Sequence, residues 1–165
     1  MSDMQIFLDM DQTISAFNKA VQKLGPEAAQ GLPEDSTEEQ QACMFEAIRE
    51  AGEAFWRTME WMDDGKSLWK LLQPFHPTIL TSIGIDLTGA ESGKKAWIQK
   101  HIPGTPLFFS NTKSEYVNPY VTCILVDDNK NNIASWEEAG GIGILHTSTE
   151  STERQFLDLL WNQRG

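Results

Sequence analysis

Cysteine, positive charge and long apolar runs are all scarce in this sequence of 165 residues. Its two cysteines, Cys43 and Cys123, lie far apart in apolar contexts. They form neither a zinc-binding spacing nor a disulfide framework, so we expect two buried, reduced thiols. No apolar run approaches the roughly 18 residues that a membrane-spanning helix needs. The amino terminus carries an acid and lacks the basic stretch of a secretory leader, so we expect a cytoplasmic protein without a membrane partner.

The shortage of positive charge limits the partners that the protein can bind. Against 13 Lys and Arg stand 24 Asp and Glu, which gives a formal net charge of −11. A field of that sign repels polynucleotides, so we expect no nucleic-acid partner. A small anion can still bind where local lysines or a metal ion hold it. The composition is otherwise that of a globular protein of one domain, 40% hydrophobic and 22% charged.

Five short apolar segments, rich in β-branched and aromatic residues, predict β-strands. None alternates cleanly between polar and apolar residues, which is typical of strands covered on both faces. Helical patterns separate most of them, and such alternation predicts an α/β fold with a five-stranded parallel sheet. The predicted strands are residues 5–9, 78–81, 107–109, 122–126 and 142–145.

The connection between the first two predicted strands is several times longer than one crossover helix requires. It is mostly helical in pattern, with a polar loop predicted at 28–35 and a capping box at 36–39 that opens a long helix. Apolar side chains, among them Phe45, then recur at intervals of three, four or seven residues. We interpret residues 15–75 as a small helical subdomain inserted into a core of residues 1–14 and 76–165. A lid over an active site is one use for it, and a thickening of the core is the alternative.

Side chains with carboxylate, hydroxyl or ammonium groups follow four of the predicted strands. Because ligands of open α/β sheets bind beyond the carboxyl ends of the strands, these side chains are expected in one crevice. Carboxylates crowded at 4 Å repel each other by about 4 kcal/mol per pair. A hard divalent cation with oxygen ligands removes that cost, and Mg²⁺ is the usual ion where phosphate also binds. The predicted site residues are Asp9, Asp11, Thr81, Ser82, Lys113, Asp127 and Asp128.

The segment Asp9-Met10-Asp11-Gln12-Thr13, together with Thr81, Lys113 and Asp127-Asp128, resembles the four-motif set of the haloacid dehalogenase-like hydrolase superfamily. Within it, the sequence is most similar to 5′(3′)-deoxyribonucleotidases, in residues 9–11, 79–82, 94–100 and 143–146. The helical insertion also resembles the cap of that family. The resemblance implies a Rossmann-like core with a cap and, in most members, a Mg²⁺-dependent phosphatase.

The resemblance also implies a role for each residue. Asp9 is the nucleophile that forms an aspartyl-phosphate, and Asp11 protonates the leaving oxygen and then activates water. Mg²⁺ binds Asp9, the Asp11 carbonyl and Asp127, with Asp128 as a ligand or as support. The hydroxyls of Thr81 and Ser82, with the Lys113 ammonium, hold the phosphoryl oxygens.

One residue departs from the family pattern, and the roles of the lysines and of one histidine are less certain from the sequence. Gln12 stands where glycine is commonest in the superfamily. Lys94 and Lys95 are rivals of Lys113 for the phosphate, and Lys113 ranks first because it directly follows the third predicted strand. His146, at the end of the fifth predicted strand, is interpreted as structural, although it is the histidine best placed to line the crevice.

Together with these residues, the resemblance implies a Mg²⁺-dependent phosphomonoesterase, a 5′-deoxynucleotidase that releases phosphate from (deoxy)nucleoside monophosphates. The alternatives are a phosphatase for another small ester such as a sugar phosphate, an enzyme for nucleic-acid ends, and a catalytically silent binding protein. The aromatic residues of the insertion either form its core or stack on a nucleobase. The sequence leaves a monomer and a homodimer both open.

Overall fold

The computed structural model describes residues 3–84 and 88–163, and these ranges contain five β-strands and eight α-helices. The strands are β1 (Met4–Leu8), β2 (Thr78–Thr81), β3 (Leu107–Phe109), β4 (Thr122–Asp127) and β5 (Ile142–Leu145). The helices are α1 (Phe17–Leu24), α2 (Pro26–Ala29), α3 (Glu38–Ala51), α4 (Glu53–Arg57), α5 (Gly65–Leu72), α6 (Ala90–His101), α7 (Lys130–Glu138) and α8 (Thr149–Asn162). Short 3₁₀ helices form at Gln73–Phe75 and Lys113–Tyr116. Within the described ranges no helix is both long and apolar enough to cross a membrane.

All five strands are parallel, in the order β3-β2-β1-β4-β5, which confirms the predicted α/β fold and its five-stranded sheet. β1 is the central strand, and its Leu8 pairs with Val126 of β4. The chain runs from β1 to β2 on one side and reaches β4 on the other. The carboxyl ends of β1 and β4 therefore flank the switch point where ligands bind in such sheets.

The sheet is covered on both faces, as the apolar strand patterns predict. Successive residues of β4, from Cys123 to Val126, are all buried. On one face, the Trp136 ring of α7 packs edge-on against Phe7 at 5.2 Å, and its indole N–H donates to the Cys123 carbonyl at 3.2 Å. Both cysteines are free thiols, but Cys43 is exposed on α3, so the expectation that it is buried was wrong.

The chain forms two compact units. The sheet unit comprises Met1–Ile14, Trp61–Ser82 and Thr105–Gly165, and the helical unit comprises Ser15–Glu60 and Ile83–Gly104. Compared with the predicted insertion of residues 15–75, α5 belongs to the sheet unit and α6 to the helical unit. The reason is close packing of α6 on α4, since a Cβ on Gly93 would lie 2.5 Å from the Cβ of Trp56.

Local details of the helical unit differ from the sequence-based expectations. The capping box joins Thr37 and Gln40, one residue later than predicted, with mutual hydrogen bonds of 2.9 and 3.1 Å. The predicted long helix is divided into α3 and α4 at Gly52, whose φ is 65°. Met44 is buried on α3, whereas Phe45 is 37% exposed. The short helix α2 includes the first two residues of the predicted polar loop.

Candidate active site

Asp9 is the central side chain of the candidate site because it directly follows the central strand. Its backbone N–H donates to the Val126 carbonyl at 2.9 Å, which extends the β1–β4 pairing by one residue. The carboxylate is buried, and each of its oxygens accepts a hydrogen bond. Oδ2 accepts from the Thr13 hydroxyl at 2.9 Å, and Oδ1 accepts from the Lys113 ammonium at 2.7 Å.

A tight turn brings Thr13 back to Asp9. The N–H groups of Thr13 and Ile14 both donate to the Met10 carbonyl, at 3.2 and 2.9 Å. Within this turn, Gln12 has a φ of 62°, in the left-handed region. That conformation costs a side-chain-bearing residue about 1–2 kcal/mol and costs glycine little, which explains why glycine suits this position. Fully buried Met10 and Ile14 hold the turn on either side.

The second acidic pair lies at the end of β4, beside Asp9. Asp127 is fully buried, and its Oδ1 accepts from the Asn129 N–H at 2.9 Å. Its Oδ2 accepts from the Asn132 side chain at 3.0 Å. Asn129 also caps α7, so the start of that helix orients the Asp127 carboxylate. Sequence reasoning missed both asparagines, although a run of amides directly after the acidic pair was an available signal.

Lys113 joins the two acidic strand ends. It begins the 3₁₀ helix after β3, is buried, and places its ammonium 2.7 Å from Asp9 Oδ1 and 2.7 Å from Asp127 Oδ2. Of its two rivals, Lys95 forms a surface ion pair with Glu91 at 2.7 Å, and Lys94 lies against the Trp56 ring. Both rivals belong to α6, in the helical unit.

These contacts determine how Asp9 and Lys113 are charged. Burial alone would raise the pKa of Asp9, but the Lys113 charge and hydrogen bonds from Asp128, Lys113 and Thr13 lower it below its ordinary value. Burial alone would lower the pKa of Lys113, but the charges of Asp9 and Asp127 raise it above its ordinary value. Asp9 is therefore a buried carboxylate that stays ionised at neutral pH.

The pKa values of Asp127 and Asp128 are raised, whereas that of Asp9 is lowered. Burial and the charge of Asp9 raise the pKa of Asp127 to about 6, although Lys113 partly offsets this. Burial, the charge of Asp9 and a hydrogen bond with Asp9 raise the pKa of Asp128 to about 8. Lys113 pairs with Asp9 and Asp127, and Asp128 adds a third carboxylate beside them, so negative charge is in excess when all three ionise.

This cluster fits a magnesium ion. Carboxylate oxygens of Asp9, Asp127 and Asp128 all lie within 4.8 Å of one another. An all-oxygen donor set of carboxylates is the set that Mg²⁺ prefers, and a divalent cation would balance the excess negative charge. Asp128 is the most exposed of the three, which leaves the cluster accessible from that side.

The remaining predicted residues lie along the same edge of the sheet. Thr81 ends β2 and is buried, and its hydroxyl donates to the Ser82 carbonyl at 3.3 Å. Its own carbonyl accepts from the Ser110 N–H at 3.0 Å, which connects β2 to the loop before Lys113. Asp11 is partly buried in the turn, and its carboxylate is not part of the acidic cluster found among the described residues.

His146 and Asp64 form a polar network at the next strand end, which sequence reasoning did not predict. The His146 N–H donates to the Asp127 carbonyl at 2.8 Å. Its ring nitrogens contact the Thr152 hydroxyl at 2.8 Å and Asp64 Oδ2 at 3.3 Å. Burial lowers the pKa of His146, against the opposing charges of Asp64 and Asp9. A neutral ring that accepts from Thr152 and donates to Asp64 satisfies both contacts.

Solved structures resemble this one, whereas the sequence matches no protein-family model and no curated protein. An L-2-haloacid dehalogenase from Xanthobacter autotrophicus is similar with a TM-score of 0.56 at 13% identity, over 96% of this chain and 83% of that one. A haloacid dehalogenase-like hydrolase from Streptococcus pneumoniae gives 0.53 at 13% identity, over 86% and 83%. Protein Tyrosine Kinase A from Mycobacterium tuberculosis gives 0.53 at 12% identity, over 87% and 83%.

The names of these three neighbours differ, and at such low identity the similarity concerns the fold alone. A dehalogenase, a hydrolase and a kinase share one architecture, so the chemistry has to be argued from the side chains. The five-stranded parallel sheet, its strand order and these neighbours agree, and the chain has the haloacid dehalogenase-like fold.

Proposed function

We propose that the protein is a cytoplasmic, Mg²⁺-dependent phosphomonoesterase that acts through an aspartyl-phosphate on nucleoside monophosphates. One observation carries the proposal: a buried carboxylate, Asp9, is held ionised by an ammonium 2.7 Å away, at the switch point of the sheet and beside two further carboxylates. A nucleophile needs a free electron pair, and a transferring phosphoryl group needs nearby positive charge.

Each side chain of the site has its own role in the proposed reaction. An oxygen of Asp9 attacks phosphorus, and the bond to the leaving oxygen breaks as Asp11 supplies a proton. Asp11 then takes a proton from water, which hydrolyses the acyl phosphate and regenerates Asp9. Lys113 offsets the charge on the phosphoryl oxygens, and the hydroxyls of Thr81 and Ser82 position the group.

Mg²⁺ would be held by Asp9 and Asp127, with the Asp11 carbonyl and Asp128 completing or supporting the set. Bound there, the ion supplies charge neutralisation for the phosphoryl oxygens. Asn129 and Asn132 each donate to Asp127, so they keep that carboxylate oriented. Removal of metal by a chelator is expected to abolish turnover, and added Mg²⁺ is expected to restore it.

The aromatic cluster of Phe17, Phe55 and Trp56 forms part of the core of the helical unit. The rings of Phe17, Phe55 and Trp56 lie 4.9 to 5.9 Å apart. The Trp56 indole N–H is buried and, within the described residues, has no hydrogen-bond partner. Phe55 and Trp56 are only 6% and 2% exposed, so these rings belong to the core of the unit and offer no surface on which a nucleobase could stack. The choice of nucleoside monophosphates therefore rests on the resemblance of the sequence to 5′(3′)-deoxyribonucleotidases.

A substrate panel tests this proposal. Deoxynucleoside 5′-monophosphates, ribonucleoside 5′-monophosphates and sugar phosphates would be compared at equal concentration with Mg²⁺. We expect the deoxynucleotides to give the highest kcat/KM. Preference for sugar phosphates would overturn the substrate class, and absence of turnover on every ester would overturn the phosphatase.

A second comparison tests whether the helical segment restricts the substrate to mononucleotides, as a lid would. A deoxynucleoside 5′-monophosphate and a 5′-phosphorylated oligonucleotide carry the same reacting group. We expect the mononucleotide to be hydrolysed much faster, because a lid would exclude a polymer and the net charge of −11 repels it. Equal rates would contradict the lid and favour an enzyme for nucleic-acid ends.

A further inference from the structure

The Asp64 carboxylate is held by donors from a distant part of the chain. Three donors point at its Oδ2: the Thr149 N–H at 2.9 Å, the Thr149 hydroxyl at 3.0 Å and the His146 ring at 3.3 Å. Thr149 is the first residue of α8, so the carboxylate also meets the positive end of that helix. Asp64 is therefore hydrogen-bonded to residues after the end of β5 and at the start of α8.

Asp64 adjoins a segment that touches the loop of Asp9. The Met62 N–H donates to the Ile14 carbonyl at 2.8 Å. Gly65 approaches that same carbonyl so closely that a Cβ would lie 2.6 Å from its oxygen. Asp64 lies between these two contacts in sequence. Residues 62–65 therefore support Ile14, which ends the turn that begins at Asp9.

That turn needs support because it is strained. The positive φ of Gln12 persists only where surrounding contacts favour it over relaxed alternatives. The turn also sets the Thr13 hydroxyl 2.9 Å from Asp9 Oδ2. A shift of Ile14 would therefore change the orientation of the Asp9 carboxylate.

We propose that Asp64 is a positioning residue: its carboxylate anchors the segment that holds the strained Asp9–Ile14 turn in its reactive geometry. The effect on turnover rests on the proposed function, whereas the effect on the turn does not. Asp64 acts through Gly65, Met62 and Ile14, and the proposal requires no contact with substrate.

The test uses Asp64→Ala, which removes the acceptor, and Asp64→Asn, which keeps one carbonyl oxygen for the Thr149 N–H. The neighbouring acid Asp63 is exposed, so Asp63→Asn is the matched control for the loss of one charge. The first readout is amide hydrogen exchange at Thr13 and Ile14, measured by NMR in the full-length protein without substrate. The Asp9 amide, bonded to Val126, reports on the sheet in the same spectra.

In Asp64→Ala we expect exchange at Thr13 and Ile14 to accelerate about tenfold, with the Asp9 amide unchanged, because local opening is favoured without general unfolding. Asp64→Asn should give an intermediate rate, and Asp63→Asn the wild-type rate. Unchanged exchange at Thr13 and Ile14, or equal acceleration at Asp9, would overturn the proposal. If Asp64→Ala does not fold, Thr149→Val removes one donor at nearly constant size and is judged by the same criterion.

The second readout is catalysis. Asp64→Ala should lower kcat about tenfold with little change in KM, since a misoriented nucleophile affects the chemical step. A rise in KM with kcat unchanged would contradict a positioning role. If the wild-type protein hydrolyses no phosphate ester, the proposed function fails, and the exchange rates still decide the role of Asp64.

Discussion

The sheet unit and the helical unit each bury a lysine, and the surroundings of the two differ. Lys113 of the sheet unit is 6% exposed, with its ammonium 2.7 Å from both Asp9 and Asp127. Lys94 of the helical unit is 1% exposed, with its ammonium 4.8 Å from the centre of the Trp56 ring. Burial alone therefore does not identify a catalytic cation. The difference lies in the contacts described: the Lys113 ammonium lies beside two carboxylates that follow neighbouring strands, and the Lys94 ammonium lies against an aromatic face.

This comparison assigns different kinds of effect to the two units. Under the proposed function, changes around Lys113 should alter turnover of every phosphate ester, because its ammonium lies beside Asp9. Changes around Trp56 should alter the packing of the helical unit and leave the choice among phosphate esters unchanged.

The largest effect is expected from Asp9→Asn. Loss of the nucleophile should lower kcat by about a thousandfold or more on every ester, since the covalent step is removed. The thermal midpoint should change little, because asparagine keeps an acceptor for Thr13 and relieves the crowding with Asp127 and Asp128. Steady-state kinetics and a thermal melt measure both. Activity within tenfold of the wild type would rule out the covalent mechanism.

Lys113→Met should have the next largest effect. The change removes the positive charge that offsets phosphoryl oxygens, so kcat/KM should fall about a hundredfold or more for nucleotides and for p-nitrophenyl phosphate alike. Lys95→Met is the matched control, because Lys95 pairs with Glu91 on the surface of α6. An equal fall of kcat/KM in the two variants would contradict a specific role of Lys113 at the phosphoryl group.

The acidic cluster predicts a pH dependence of stability in the metal-free protein. Burial and the charge of Asp9 raise the pKa of Asp128 to about 8, so the folded state binds this proton more tightly than the unfolded state. The resulting stabilisation is present at low pH and is lost as the pH rises toward that value. Burial lowers the pKa of His146, so this group adds to the stability of the folded state as the pH rises. That contribution is complete once the pH is above the ordinary pKa of histidine.

Thermal melts in chelator from about pH 6.5 to about pH 8.5 isolate this effect. We expect the midpoint to fall by a few degrees in the wild type and much less in Asp128→Asn. Added Mg²⁺ should reduce the fall, because the ion favours the ionised carboxylates. A midpoint that rises with pH in the metal-free wild type would contradict the direction of the Asp128 shift.

The smallest effect is expected from Trp56→Phe in the helical unit. Phenylalanine keeps a flat ring in the core of that unit, so kcat/KM for a nucleoside monophosphate and for p-nitrophenyl phosphate should both stay within about twofold of the wild type in steady-state kinetics. Stability should not fall by the amount expected for a broken hydrogen bond, since the N–H has no partner among the described residues. A loss confined to the nucleoside monophosphate would contradict the core role of Trp56.

The local details of the helical unit were harder to predict than the strands. The capping box lies one residue later than predicted, because Ser36 and Thr37 are both good caps. The Ser36 hydroxyl donates to the Gly31 carbonyl at 3.1 Å and does not cap α3. The break at Gly52 interrupts an apolar pattern that continues across it. Such choices depend on which helix faces find partners, and periodicity does not encode this.

The sequence by itself determined the positions of the strands and the acids at their ends. Apolar segments of strand length are a local pattern, and parallel topology places their carboxyl ends at one edge of the sheet. The tertiary structure decided which lysine meets Asp9, because Lys113 lies 104 positions away in the chain. It also decided that Asp64 bonds the first residue of α8, 85 positions along the chain. These contacts join distant residues through packing and hydrogen bonds, so no local pattern specifies them.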